Sequence, residues 1–275
     1  MTLAVAPCQA QPVGQFPCGS TAEQDSLIAR YIERGAQRYG YNHPNWEKYC
    51  DSLIARCPRL ALAYREKAIP YLKNGDYARA FALEDQAVAL DPRAWTAYRG
   101  FLKCIFTKDY AGALPDFKRA EQLSPGSYEM DHTYAFYRGL CLLELGRYAE
   151  AATALATDRR QQIQGDPQRQ PHFNSLFYEG VLRYEMKQPA RAVAALRQCL
   201  GQYRQFGDAH YYLALCYQQQ GLAAQARQHL ALAHKGLKDG YSINEDNVFY
   251  ANYPHQITLF EVEQAQKLAQ SRGVR

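Results

Sequence analysis

An all-α solenoid of stacked helix hairpins is the fold this sequence predicts, and three observations predict it. Residues 61–92, ALAYREKAIPYLKNGDYARAFALEDQAVALDP, read as one helix, a tight turn at Asn74-Gly75-Asp76, and a second helix that stops at Asp91-Pro92. The pattern returns around a small residue in each second helix, Ala80, Ala113, Ala151, Ala192 and Ala226, with gaps of 33, 38, 41 and 34 residues. One amphipathic hairpin alone leaves an apolar face in water, so like units must stack on it.

The chain opens on MTLAVAPCQAQPVG. It has no basic leader and its apolar run is short, yet Cys8-Gln9-Ala10 before Gln11 has the small-x-small form of a cleavage site. Residues 1–19 are therefore either the remnant of a signal peptide or a disordered tail. The first reading makes the protein exported or periplasmic, the second cytoplasmic. Pro7 argues against Cys8 as a lipid-bearing cysteine, because a small residue is expected there.

Residues 20–57 predict an N-terminal helical pair, a degenerate repeat or cap. Ser20 and Glu23 form a capping box ahead of a helix reaching Arg38, in which Leu27, Ile28 and Tyr31 share one face. Gly40 and Pro44 break it, and a second helix runs from about Trp46 to Arg56.

Residues 58–238 carry five hairpins. Twelve positions before each anchor stand Ala68, Phe101, Gly139, Gly180 and Ala214, mostly small where two helices approach closely. Eleven before stand Ile69, Leu102, Leu140, Val181 and Leu215; four after stand Glu84, Phe117, Leu155, Leu196 and Leu230. Glu84 replaces an apolar residue, and Asp158, seven after its anchor, replaces a small one. Gly100 lies one residue early and predicts a shortened turn, while Pro70 and Pro115 fall inside helices and predict bends. Residues 158–171, DRRQQIQGDPQRQP, predict an exposed loop.

Residues 239–275 predict a C-terminal cap. A Tyr-rich stretch without helical period, YSINEDNVFYANYPHQ, precedes a final amphipathic helix marked by Leu259, Val262, Ala265 and Leu268. The run Asn244-Glu245-Asp246-Asn247 reads as a turn or helix start, since it lacks the glycine and spaced oxygens of a calcium loop.

Composition narrows the function. The 22 Tyr among 275 residues suit a large, half-buried surface. The net charge of +5 is spread among interspersed acidic residues, against the single basic stripe of a nucleic-acid binder. No run approaches the roughly 20 apolar residues of a membrane span. The eight cysteines form no CxxC pair; Cys18, Cys50 and Cys57 cluster and could include a disulfide, while Cys104, Cys141, Cys199 and Cys216 read as small core residues.

The segments NGDYARA at 74–80, KDYAGA at 108–113, LGRYAEA at 145–151 and ALCYQQQGLAAQA at 214–226 give the chain a family likeness: it resembles the tetratricopeptide repeat proteins. The resemblance covers about residues 58–238 and implies a right-handed α-α superhelical solenoid whose first helices line a concave, partner-binding groove. The residues fifteen before each anchor, Arg65, Tyr98, Phe136, Phe177 and Tyr211, would form its ladder, with Lys73, Trp95, Tyr184 and Gln218 beside them. Glu144, Asn174, Glu185, Asp208 and Gln219 would flank it. An aromatic at the ladder position also seals adjacent helices; packing is favoured for Phe136 and Phe177, and both roles stand for Tyr98 and Tyr211. Arg65 and Lys73 fall on one unit, while Glu144 and Glu185 would face the later groove, so the carboxylate clamp known in the family is not expected.

No nucleophile elbow, zinc-protease helix, phosphate loop or dinucleotide motif stands in the sequence. The expected activity is therefore non-enzymatic, without metal or cofactor: a scaffold that binds a peptide or protein in its groove. Two readings compete with it, a self-associating structural protein of the cell envelope and an enzyme with a site no short motif reveals.

Overall fold

In a computed structural model, residues 18–166 and 168–271 are described. The residues read as a signal remnant or tail lie outside them, apart from Cys18 and Gly19. The chain divides into two compact units, Met1–Asp91 and Pro92–Arg275.

The first unit begins with α1 (Thr21–Ile28), and its capping box is formed: Glu23 N–H donates to Ser20 Oγ at 3.3 Å and Ser20 N–H donates to Glu23 Oε2 at 3.1 Å. The single helix expected to Arg38 is instead three pieces, with a π-turn at Ala29–Glu33 and a 3₁₀ turn at Ala36–Arg38. At the break the backbone packs closely: a Cβ at Gly35 would lie 2.3 Å from the Tyr31 carbonyl oxygen and 2.7 Å from the Tyr49 ring. Pro44, expected as a breaker, is the first residue of α2 (Pro44–Arg56), where its missing N–H costs nothing. Then come α3 (Ala61–Lys73) and α4 (Tyr77–Leu90). Cys18 and Cys57 form a disulfide that ties the start of the unit to the end of α2. Ile32, Ala36, Trp46, Cys50, Leu53 and Ala63 fill the core beneath it. Burial pushes the free Cys50 thiol up to about 12.

The second unit stacks four hairpins: α5 (Pro92–Ile105) with α6 (Tyr110–Leu123), α7 (Tyr134–Glu144) with α8 (Tyr148–Ile163), α9 (Phe173–Glu185) with α10 (Pro189–Gln202), and α11 (Gly207–Gln219) with α12 (Ala223–Lys238). The repeat logic is visible in contacts. Every anchor alanine is buried, and a Cβ at Gly139 or Gly180 would sit 2.5 Å from Leu155 or Leu196 of the paired helix. Five residues before each anchor the backbone turns left-handed, at Gly75, Lys108, Gly146, Lys187 and Gly221. Lys108 and Lys187 hold there a conformation that glycine adopts freely.

Three expectations are corrected. The turn after Gly100 is longer, not shorter: four residues separate α5 from α6, where three separate α7 from α8. The insertion after the third anchor begins as helix, since α8 runs to Ile163. Asp158 is buried there and accepts hydrogen bonds from Thr133 Oγ1 at 2.8 Å and Gln162 Nε2 at 2.7 Å. The Tyr-rich stretch does not cap the stack. The final helix α13 (Leu259–Ser271) packs against α12, while residues 241–258 lie elsewhere in the unit. Their Asp246–Phe249 piece is a 3₁₀ turn, as the run of Asn and acidic residues implied. A two-stranded hairpin, β1 (Tyr128–Glu129) with β2 (His132–Thr133), leads into α7. Among the described residues no helix is long and apolar enough to cross a membrane.

Candidate functional site

The first helices of the second unit present a ladder that keeps Tyr98 of the expected one and lies one residue away from it at the other three rungs. Two positions before the small contact residues Gly100, Gly139, Gly180 and Ala214 stand Tyr98, Tyr137, Tyr178 and Tyr212. The rings interlock between neighbouring hairpins: Phe101 meets Tyr137 at 5.6 Å, Phe136 meets Tyr178 at 5.5 Å and Phe177 meets Tyr212 at 5.7 Å. Counting from the second helix hid this register, because the extra turn residue after Gly100 displaces Tyr98 from its equivalents. Counting from the glycine would have found it.

Residues 242–257 lie across these helices as a strap. Tyr178 Oη donates to the Pro254 carbonyl at 2.8 Å, and Tyr212 Oη lies 2.7 Å from His255 Nδ1. His255 Nε2 is 2.9 Å from Glu144. Near the other end Glu245 Oε1 accepts from Asn174 Nδ2 at 2.6 Å and lies 3.0 Å from His132 Nε2. Lys108 Nζ donates to the Asn252 carbonyl. Asp208 takes both ends, accepting from Ser242 Oγ at 2.9 Å and from the Ile257 N–H at 2.7 Å.

Burial shapes the charges. It pushes the Asp208 carboxyl up to about 6, although the Ile257 and Ser242 bonds pull the other way. Glu245 is also penalised by burial, but the hydrogen bond and charge of His132, the charge of His172 and the Asn174 bond hold it below the usual carboxylate range. His172 is lowered by burial and by His132.

The residues expected in the groove are dispersed. Arg65 and Lys73 belong to the first unit, where Arg65 Nη1 pairs with Glu66 at 2.6 Å and Lys73 Nζ lies 4.8 Å from the Tyr41 ring centre. Phe136 and Phe177 are fully buried and offer no surface to a partner, because they seal one hairpin to the next. Tyr98 is buried too, between Trp95 and Phe101 at 6.1 Å each. Tyr184 is half-buried against Tyr212 at 5.7 Å. Asn174 and Asp208, expected beside the groove, are buried and hold the strap. Arg99 and Lys103 both pair with Asp116, at 2.5 and 2.8 Å.

Tyr211 and Gln218 come together in a different place. With Leu215 they form one wall of a trough of about 460 Å³ between α11 and α13; Phe260, Gln264 and Leu268 form the other, and Ala223 and Ala226 of α12 lie between. Phe260 is 67% and Leu268 59% exposed, so the apolar wall on α13 is open to solvent.

Residues 107–162 and 183–236 match tetratricopeptide repeat families. No curated protein matches the chain. Among solved structures it is similar to PilW, a widely conserved type IV pilus biogenesis factor, at 15% identity and a TM-score of 0.62, over 84% of this chain and 100% of that one. YrrB, a tetratricopeptide repeat protein with an unusual peptide-binding site, is 19% identical over 69% of this chain and 93% of its own, with a TM-score of 0.51. Yeast Tom70 is 14% identical, with a TM-score of 0.56; the match spans 91% of this chain and 47% of Tom70. Repeats recognised in residues 107–162 and 183–236, and hairpins stacked as those repeats require, show that this chain carries tetratricopeptide repeats in an α-α solenoid fold.

Proposed function

We propose that the chain is a non-enzymatic interaction scaffold that holds an amphipathic helix of a partner protein in the trough between α11 and α13. The observation that carries the reading is the pair of facing walls. Tyr211, Leu215 and Gln218 follow one another at helical spacing on α11, as do Phe260, Gln264 and Leu268 on α13. Two such ridges, mainly apolar and set apart, make a channel that accepts the apolar stripe of a third helix. The two anchoring rings, Tyr211 and Phe260, lose little side-chain freedom on binding, which favours aromatic anchors at an interface. YrrB, with the same fold, has a peptide-binding site, which is in keeping with this class of activity.

Selection of helical peptides from a displayed library tests it. Immobilised protein is expected to enrich peptides with apolar residues at i, i+4 and i+7, and those peptides are expected to lose binding to a Tyr211→Ser, Phe260→Ser double variant that melts like the parent. Equal binding to the folded double variant removes the trough from consideration.

A further inference from the structure

The strap is bound as a ligand is bound. Its contacts are made by side chains from successive elements of the stack: His132 on β2, Glu144 on α7, Asn174 and Tyr178 on α9, Asp208 and Tyr212 on α11. Three of these, His132, Asn174 and Asp208, are buried polar groups that need partners and find them in the strap. The contacts also divide by kind. Lys108, Tyr178 and Asp208 engage backbone groups of Asn252, Pro254 and Ile257, which any sequence without proline at the last position supplies. Glu245 and His255 enter polar subsites through a carboxylate and an imidazole, ten positions apart along the chain.

We infer that the inner face formed by β2, α7, α9 and α11 is a recognition site for an extended polypeptide segment of a partner carrying a carboxylate side chain and, ten residues further on, an imidazole, and that residues 242–257 are its resident ligand. Ile243, Tyr253 and Ile257 are the strap's principal buried apolar anchors, while Asn244, Asp246, Phe249, Tyr250 and Asn252 are exposed. Segments with few buried apolar contacts open at a cost well below that of global unfolding. A tethered ligand is nevertheless a strong competitor, because its effective concentration is in the millimolar range. An incoming segment therefore meets a closed site unless the strap is weakened. This site is separate from the trough between α11 and α13, and each can fail without the other.

A labelled synthetic peptide spanning residues 241–258 is the probe, and the full chain with Glu245→Ala and His255→Ala is the loosened receptor. Fluorescence anisotropy is expected to show the peptide binding the loosened chain at least about tenfold more tightly than the wild type, whose own strap competes. A peptide carrying the same two alanines is expected to bind poorly, and Phe260→Ser in the receptor is expected to change nothing. A loosened chain that melts as a folded protein yet ignores the peptide, or binds both peptides equally, overturns the inference. Should the loosened chain not fold, the wild type decides. An excess of unlabelled peptide must then accelerate hydrogen exchange at the Ile257 amide, and unchanged exchange overturns the inference equally.

Discussion

The backbone N–H of Ile257 donates to Asp208 Oδ1 at 2.7 Å, inside a site where the carboxylate has no exposed surface. Burial raises the Asp208 carboxyl from its ordinary value of 3.8 to about 6. The folded state therefore holds this proton more tightly than the unfolded chain does, by roughly 3 kcal/mol. The resulting stabilisation is complete below pH 3.8 and is lost as pH rises through about 6. The difference in melting temperature between wild type and Asp208→Asn is expected to move against the wild type as pH rises from 4 to 6.5. A difference that stays flat over that range contradicts the assignment.

His229 works in the opposite sense over nearly the same range. Its Nδ1 lies 2.9 Å from that of His210, and burial, with His210 and Arg197 adding to it, lowers its pKa from 6.5 to about 4. A histidine kept neutral by folding contributes stability that is lost as pH falls from 6.5 through about 4. His229→Gln is expected to lessen the loss of stability between pH 7 and 4.5, measured by urea titration at each pH. An unchanged pH slope would show that the imidazole is not held neutral.

The glycines facing the second helices rank one another. At Gly139 and Gly180 a methyl group would meet Leu155 and Leu196 at 2.5 Å, so alanine forces those side chains to move, at about 1–3 kcal/mol. At Gly100 the nearest atoms are at 3.1 and 3.3 Å, on Asp116 and Phe117. The gain in helix propensity, about 1 kcal/mol, then offsets most of the crowding. Chemical denaturation should place Gly180→Ala and Gly139→Ala well below Gly100→Ala in stability.

The Cys18–Cys57 bridge closes a loop across a sequence separation of 39 residues. Such a crosslink typically stabilises by about 2–4 kcal/mol, through restriction of the unfolded chain. Cys18→Ser should increase hydrogen exchange at buried Leu53 and Ala63 correspondingly, while Leu140 and Val181 in the second unit keep their protection. Uniform loss across both units would mean that the bridge acts beyond its own core.

What the sequence showed of this protein follows from the range of the forces involved. Packing periodicity is local, so the anchor alanines and the close contacts at Gly139 and Gly180 were legible from spacing alone. The tyrosine ladder was legible too, but the turn of 106–109 is one residue longer than its counterpart and moved Tyr98 out of register. Asp158 looked like the start of a loop because a buried acid is recognisable only with its partners, Thr133 and Gln162, in view. The strap left no trace. Tyr178 and Pro254 are 76 positions apart, Asn174 and Glu245 71, and single hydrogen bonds over such separations impose no pattern on composition. The disulfide was narrowed to three cysteines, and geometry alone chose Cys57 over Cys50.

Phe249 stands 90% exposed at the far reach of the strap, on the short turn between the part held by Glu245 and the part held by Pro254 and His255. An aromatic side chain so placed is an inviting target for a chymotrypsin-like protease. A cut after it would leave each new end fastened, one by Ser242 and Glu245, the other by Tyr253 through Ile257 and by α13 on its neighbour. The nicked protein would then migrate as one species on a native gel and as two only after denaturation, a covalent break that the fold conceals.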